Sequence, residues 1–167
     1  NVSENIYMNI IERAKDYVYI TTPYLILDDA METSLKNAAK AGVDVRIITP
    51  HIPDKKLVFE ATRASYMPLM KAGVKIYEYT PGFVHAKMFV SDDKLATVGT
   101  ANLDYRSLFL HFECGALMYR SAAVSSVKAD FLETFEKCHR CSIAEMKRCS
   151  PFGKALAFVM KIIAPLL

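Results

Sequence analysis

Among the four histidines of this 167-residue chain, His85 stands in the run His85-Ala-Lys87-Met88-Phe89-Val90-Ser91-Asp92, an H-x-K-x4-D pattern. Gly99-Thr100-Ala101-Asn102 follows after six further residues. The surrounding residues read as a strand over 83–90, in which side chains alternate. His85 and Lys87 are therefore expected on one face, with Val84, Ala86 and Met88 on the other. An imidazole and an ammonium sharing a small volume suit chemistry at phosphorus. Lysine offers a compact positive charge to non-bridging oxygens, and the Asn102 amide adds hydrogen-bond donors as charge develops. A neutral imidazole can attack phosphorus and form a covalent adduct, and a protonated one can hand its proton to a leaving alcohol.

Either role needs the ring held in one tautomer. Glu113, just past the loop, is the carboxylate expected to bond the second ring nitrogen of His85. Two readings stand for Asp92: direct participation in the chemistry, or side-chain bonding to backbone within a hairpin turn, which is the simpler. His51 and His139 read as structural or surface residues, His139 on a late helix.

The elements that must carry these groups follow from periodicity. Apolar residues at helical spacing from Ile6 to Ala14 precede a buried strand at Tyr17–Thr22, which Pro23 stops. Asp28 or Asp29 can cap a helix running to Gly42, and a strand follows over 43–49. A helix beginning after Pro53, capped by Asp54, is expected to break or kink at Pro68 and to end near Gly73; Val74–Tyr79 is the next strand. Helix alternating with strand predicts an α/β fold with a largely parallel sheet covered on both faces. The rhythm then changes to a hairpin turning at Ser91–Lys94, a strand near 112–119 and a helix over 122–138, so the sheet is expected to be mixed.

Composition sets bounds. A chain that is 52% hydrophobic and 23% charged can bury a core without disulfides, and a net charge of +3 is too small to argue for a nucleic-acid partner. Cys138 and Cys141 in Cys-His-Arg-Cys lack a second ligand pair at zinc-site spacing, so no metal is expected, nor any other cofactor. The division expected is a catalytic domain over 1–150 and an apolar helix over 151–167, too short to span a bilayer but able to lie in its interface with Lys154 and Lys161 snorkelling. Docking on the domain's own core is the alternative for that helix. A start at Asn1 without an initiator methionine points to a piece of a longer protein.

His85, Lys87, Asp92, Gly99 and Asn102 together match the motif that defines the phospholipase D superfamily. The longer run Val98-Gly99-Thr100-Ala101-Asn102-Leu103-Asp104-Tyr105-Arg106-Ser107-Leu108-Phe109-Leu110-His111-Phe112-Glu113 resembles the second such motif of bacterial cardiolipin synthases, as do Thr22-Pro23-Tyr24 and Pro165-Leu166-Leu167. His111 departs from the asparagine more usual there. The resemblance implies a phospholipase-D-like mixed sheet sandwiched between helices. It also implies metal-free transfer of a phosphatidyl group from phosphatidylglycerol to a second alcohol, making cardiolipin through a phosphohistidine. Catalytic roles then fall to His85, Lys87, Asp92, Asn102 and Glu113, and substrate contacts to Lys87, Asn102, Arg106 and Tyr24, with Arg106 either holding phosphate or bracing its loop.

The superfamily works with two H-x-K pairs, and this sequence has one. The second is expected from an upstream domain of the same polypeptide or from a second copy of the chain. Phospholipid, a membrane surface and no nucleic acid are the implied partners, and the cytoplasmic side of a bacterial membrane the implied location. The alternative is a homodimeric phosphodiesterase or nuclease of the same superfamily.

Overall fold

A computed structural model describes residues 2–147. The apolar segment 151–167 lies outside the described residues. Helix α1 (Val2–Arg13) leads into β1 (Tyr17–Thr21), whose residues are all buried. That is the mark of a central strand covered on both faces. Asp28 caps α2 (Asp29–Lys40), accepting the Met31 N–H at 2.7 Å, and Gly42 at φ 98° ends it, a conformation open to glycine at little cost. Strand β2 (Asp44–Pro50) then pairs with β1 in parallel.

The helix expected up to Gly73 is two helices, α3 (Lys56–Ala64) and α4 (Tyr66–Lys71), parted at Ser65. Pro68 sits in the first turn of α4, where its missing N–H costs little. Asp54 does not cap α3: the residue before that helix, Lys55, makes no side-chain cap, and Asp54 is engaged with Tyr24.

Strand β3 (Lys75–Tyr79) is parallel to β2, whereas β4 (Met88–Ser91), β5 (Leu95–Gly99) and β6 (Gly115–Tyr119) form an antiparallel meander on the other side of β1. Helix α5 (Ala122–Glu136) crosses to β7 (Cys138–Arg140), antiparallel to β3, and α6 (Ile143–Lys147) is the last described element. His139 therefore lies on an edge strand rather than a helix, with its ring 3.1 Å from Glu145. The described residues form one seven-stranded sheet in the order β6-β5-β4-β1-β2-β3-β7.

Two apolar layers sandwich this sheet. On one face Tyr7, Ile10 and Ile11 of α1, Met31 and Leu35 of α2, and Tyr66 and Leu69 of α4 pack on Ile20, Ile47, Ile76 and Phe89. On the other, Val124 and Phe131 of α5 pack on Tyr17, Tyr19, Ile48 and Val90. The mixed α/β sandwich expected from the sequence is the fold observed. Register then fixes where the loops emerge. Thr21 pairs with Ile48 and Met88, Pro50 with Tyr79, and Met88 with Val98. The segments after β1, β2, β3 and β5, and the segment before β4, therefore leave the sheet at one edge. In sheets of this kind that edge is where ligands bind.

Candidate active site

His85 and Lys87 lie on the approach to β4, and the structure corrects their local geometry. The strand begins at Met88, not Phe83, because its neighbours stop: β1 ends at Thr21 opposite Met88, and β5 ends at Gly99, whose N–H donates to the Lys87 carbonyl at 3.1 Å. Residues 83–87 thus run past both neighbouring strands. The His85 ring is exposed and tilts against Phe83 with centroids 5.6 Å apart. Lys87 turns inward and is 7% exposed, donating from Nζ to the His85 carbonyl at 2.6 Å. Burial lowers its pKa from the usual lysine value, while the charges of Glu113 and Asp104 pull it back up.

The loop after β5 carries the other groups. Gly99 is required by contact: a Cβ there would lie 2.8 Å from the Cys114 carbonyl oxygen and 2.9 Å from Gly115 Cα. This close approach lets residues 100–114 fold back on themselves. Thr100 accepts the Cys114 N–H at 3.0 Å, and its hydroxyl donates to Glu113. Glu113 therefore does not take the role expected of it. Its second oxygen lies 3.8 Å from His111 Nδ1, and among the described residues it makes no bond to His85. His111, the departure from the family pattern, is drawn into the site through this carboxylate.

Asn102 donates through Nδ2 to Ser107 Oγ at 3.1 Å, whereas its Oδ1 is buried without a partner among the described residues. A buried acceptor left open costs about 1–3 kcal/mol unless something donates to it. Asp104 accepts the Ser107 N–H at 2.7 Å and so starts the wide, π-type turn over Arg106–Leu110. Such single turns are frequent at functional sites.

A second clamp brings Tyr24 to this loop. The Leu25 N–H donates to Thr62 Oγ1 at 3.1 Å, and the Leu25 carbonyl accepts the Ser65 hydroxyl at 3.0 Å. The same segment meets the Asn102 loop through Ile26 N–H to the Leu103 carbonyl at 2.8 Å and Leu103 N–H to Thr22 Oγ1 at 3.2 Å. Between them opens a concavity of about 310 Å³ lined by Tyr24, Lys55, Asn102, Arg106, His111 and Glu113, among others. Burial, then a 2.5 Å hydrogen bond to Asp54, pushes the Tyr24 hydroxyl up to about 12, so it stays a neutral donor.

The structure thus gathers Tyr24, Asn102, Arg106 and Glu113 around one concavity, and Lys87 feels the charges of two of its acids. Lys55 also lines the concavity; in the sequence, between Asp54 and Lys56, it reads as ordinary loop charge.

Asp92 is not at this site. It sits in the β4–β5 turn at the opposite end of β4, with φ 52°. Its carboxylate accepts the backbone N–H groups of Lys15, Asp16 and Tyr17 at 2.8, 3.0 and 2.9 Å, tying the α1–β1 junction to the hairpin. His51 follows β2 at the same end of the sheet as the site but does not line the concavity; it lies 2.8 Å from the buried carboxylate of Glu78.

This architecture is that of the phospholipase D fold. The structure superposes on phosphatidylserine synthase of Haemophilus influenzae with a TM-score of 0.80 at 14% identity, covering 99% of this chain and 45% of that one. It superposes on Nuc of Salmonella typhimurium, a phospholipase D family member, with a TM-score of 0.71 at 15% identity, covering 83% and 90%. Residues 7–135 match the model of the family described as cardiolipin synthase, phospholipase-D-like domain, and the chain belongs to that family. Over 99% of its length it is 52% identical to an uncharacterized protein of Streptococcus mutans and 37% identical to a cardiolipin synthase of Halalkalibacterium halodurans. It spans about a third of the length of these relatives, 36% and 33% respectively.

Proposed function

We propose that this domain supplies one half of a phosphatidyl-transfer site in a cardiolipin synthase. The observation that carries the reading is the phosphate-directed set itself. The Asn102 amide lines a concavity that also carries Lys55 and Arg106, the buried Lys87 feels the charges of its Glu113 and Asp104, and the exposed His85 emerges at the same end of the sheet. Whole-length likeness to cardiolipin synthases supports a lipid phosphodiester as substrate, and the coverage of about a third supports a second half elsewhere in a longer polypeptide. The one H-x-K pair in this sequence would otherwise lack the second histidine that two displacements at phosphorus need.

In this account the two histidines divide two displacements at phosphorus. One imidazole nitrogen attacks the phosphatidyl phosphorus, a P–N bond forms, and the P–O bond to glycerol breaks as the opposite imidazolium gives the leaving oxygen its proton. The hydroxyl of a second phosphatidylglycerol then gives its proton to that imidazole and attacks phosphorus, breaking the P–N bond and yielding cardiolipin. Lys87 and Asn102 hold the non-bridging oxygens through both steps. In this account His85 takes the general acid–base role, and the histidine of the other half is the nucleophile. The site faces the cytoplasmic surface of a bacterial membrane, and no helix among the described residues is long and apolar enough to cross one.

The test is a substrate choice. Full-length protein given phosphatidylglycerol vesicles should release glycerol and form cardiolipin. Cleavage of DNA with no lipid transfer would replace this reading with the superfamily's nuclease alternative.

A further inference from the structure

A second, apolar hollow of about 200 Å³ lies between α1 and the β5–β6 edge of the sheet. Val2, Ile6 and Tyr7 line it from the helix, Thr97 and Leu117 from the sheet, and Glu113 stands at its border. Register explains the pairing of these walls. Thr97 is opposite Phe89 and Leu117, and Phe89 stacks on Tyr7 at 4.2 Å, so this face of β5 and β6 looks at α1.

Two features separate this hollow from ordinary packing. Glu113 lines both it and the polar concavity, so one carboxylate divides an apolar chamber from a phosphate-directed one. Thr97 is only 6% exposed, yet its Oγ1 is buried without a hydrogen-bond partner among the described residues. A strand valine would fill that position without the cost of an idle hydroxyl. Among the described residues that line the hollow Glu113 is the charged one, and a carboxylate at its border disfavours a second phosphate or a nucleic-acid strand as occupant.

We infer that this hollow is an acyl-chain subsite: it receives the first segment of one fatty chain of the lipid whose phosphate lies in the polar concavity. Polar and apolar chambers meeting at one residue match an amphipathic ligand, and Thr97, whose buried hydroxyl has no partner among the described residues, stands in the wall of the apolar one. The inference rests on the lipid-transfer reading and adds the chain as a recognised part of the substrate. Leu117 and Tyr119, 52% and 60% exposed, continue the apolar surface along β6 for the remainder of the chain.

Gly115 gives a means of closing the subsite. It lies opposite Gly99 on the same face, and a Cβ there meets only ordinary contacts, the nearest at 3.6 Å. In the full-length protein, Gly115→Val should lower kcat/KM for dioleoyl-phosphatidylglycerol about tenfold, the effect of denying burial to roughly two methylenes. Turnover of the water-soluble bis-p-nitrophenyl phosphate should stay within about twofold. Equal loss on both substrates, or loss on neither, overturns the subsite. As a second measurement, phosphatidylglycerol carrying a diazirine on its acyl chain should label peptides containing Val2–Tyr7 or Leu117 of the wild-type protein. Labelling confined to other segments overturns the subsite as well. Failure of the wild-type protein to turn over any phosphatidylglycerol would instead refute the lipid-transfer reading.

Discussion

Replacing Asp92 separates an architectural carboxylate from a chemical one. Its two oxygens accept three backbone N–H groups at 2.8–3.0 Å, from Lys15, Asp16 and Tyr17. Hydrogen bonds to a charged acceptor contribute about 1.5–3 kcal/mol each when buried. Those from Lys15 and Asp16 are exposed and recover much of their energy from water, so the set is worth about 3 kcal/mol. Asp92 also holds φ 52°, which costs alanine about 1 kcal/mol more than aspartate or asparagine. Asp92→Ala should therefore destabilise the protein by about 4 kcal/mol, and Asp92→Asn, which keeps an acceptor and tolerates the backbone, by about 1–2 kcal/mol. Urea unfolding followed by circular dichroism measures both, with lipid transfer assayed below each variant's unfolding transition. The folded Asp92→Asn protein should transfer at close to the wild-type rate. An Asp92→Asn protein with wild-type stability and no transfer would refute this reasoning and return the carboxylate to the chemistry.

Gly99→Ala drives a Cβ to 2.8 Å from the Cys114 carbonyl. It should cost about 1–3 kcal/mol and lower transfer by displacing Glu113 and Asn102, seen as a shifted unfolding midpoint with a fall in kcat. Because burial lowers the Lys87 pKa, its cation is lost as pH rises through a value below the ordinary lysine value of 10.5, which adds a second alkaline step to kcat/KM above the one set by the histidine acid. Lys87→Arg should remove that second step and leave the histidine step in place. Tyr24→Phe leaves Asp54 without its partially exposed partner, and should cost about 1 kcal/mol in thermal unfolding while raising KM more than it lowers kcat.

The sheet was legible in the sequence where apolar runs are long and bounded by punctuation, as in β1 between Asp16 and Pro23 and α2 between Asp28 and Gly42. It was illegible where neighbours rather than composition decide. Residues 83–87 have the pattern of a strand but lack one, because β1 and β5 end before reaching them. The three residues of β7 are too few for any period to register, and Cys138-His139-Arg140 reads equally as the last turn of α5. The same division holds at the candidate site. Residue types and spacing single out His85, Lys87 and Asn102. The partner of Glu113 depends on how tightly Gly99 lets its loop fold back, which placed Thr100 and His111, not His85, against the carboxylate. Asp92 shares a motif with His85 yet serves the opposite end of the strand, since seven residues carry the chain from one edge of the sheet to the other.

Phosphatidyl transfer through His85 is the proposed activity of this domain. The most direct measurement is cardiolipin formation from isotopically labelled phosphatidylglycerol, followed by mass spectrometry, with full-length wild-type and His85→Ala proteins of matched stability. The account predicts labelled cardiolipin and free glycerol from the wild type and neither from the variant. Cardiolipin formed at the wild-type rate by His85→Ala would contradict it.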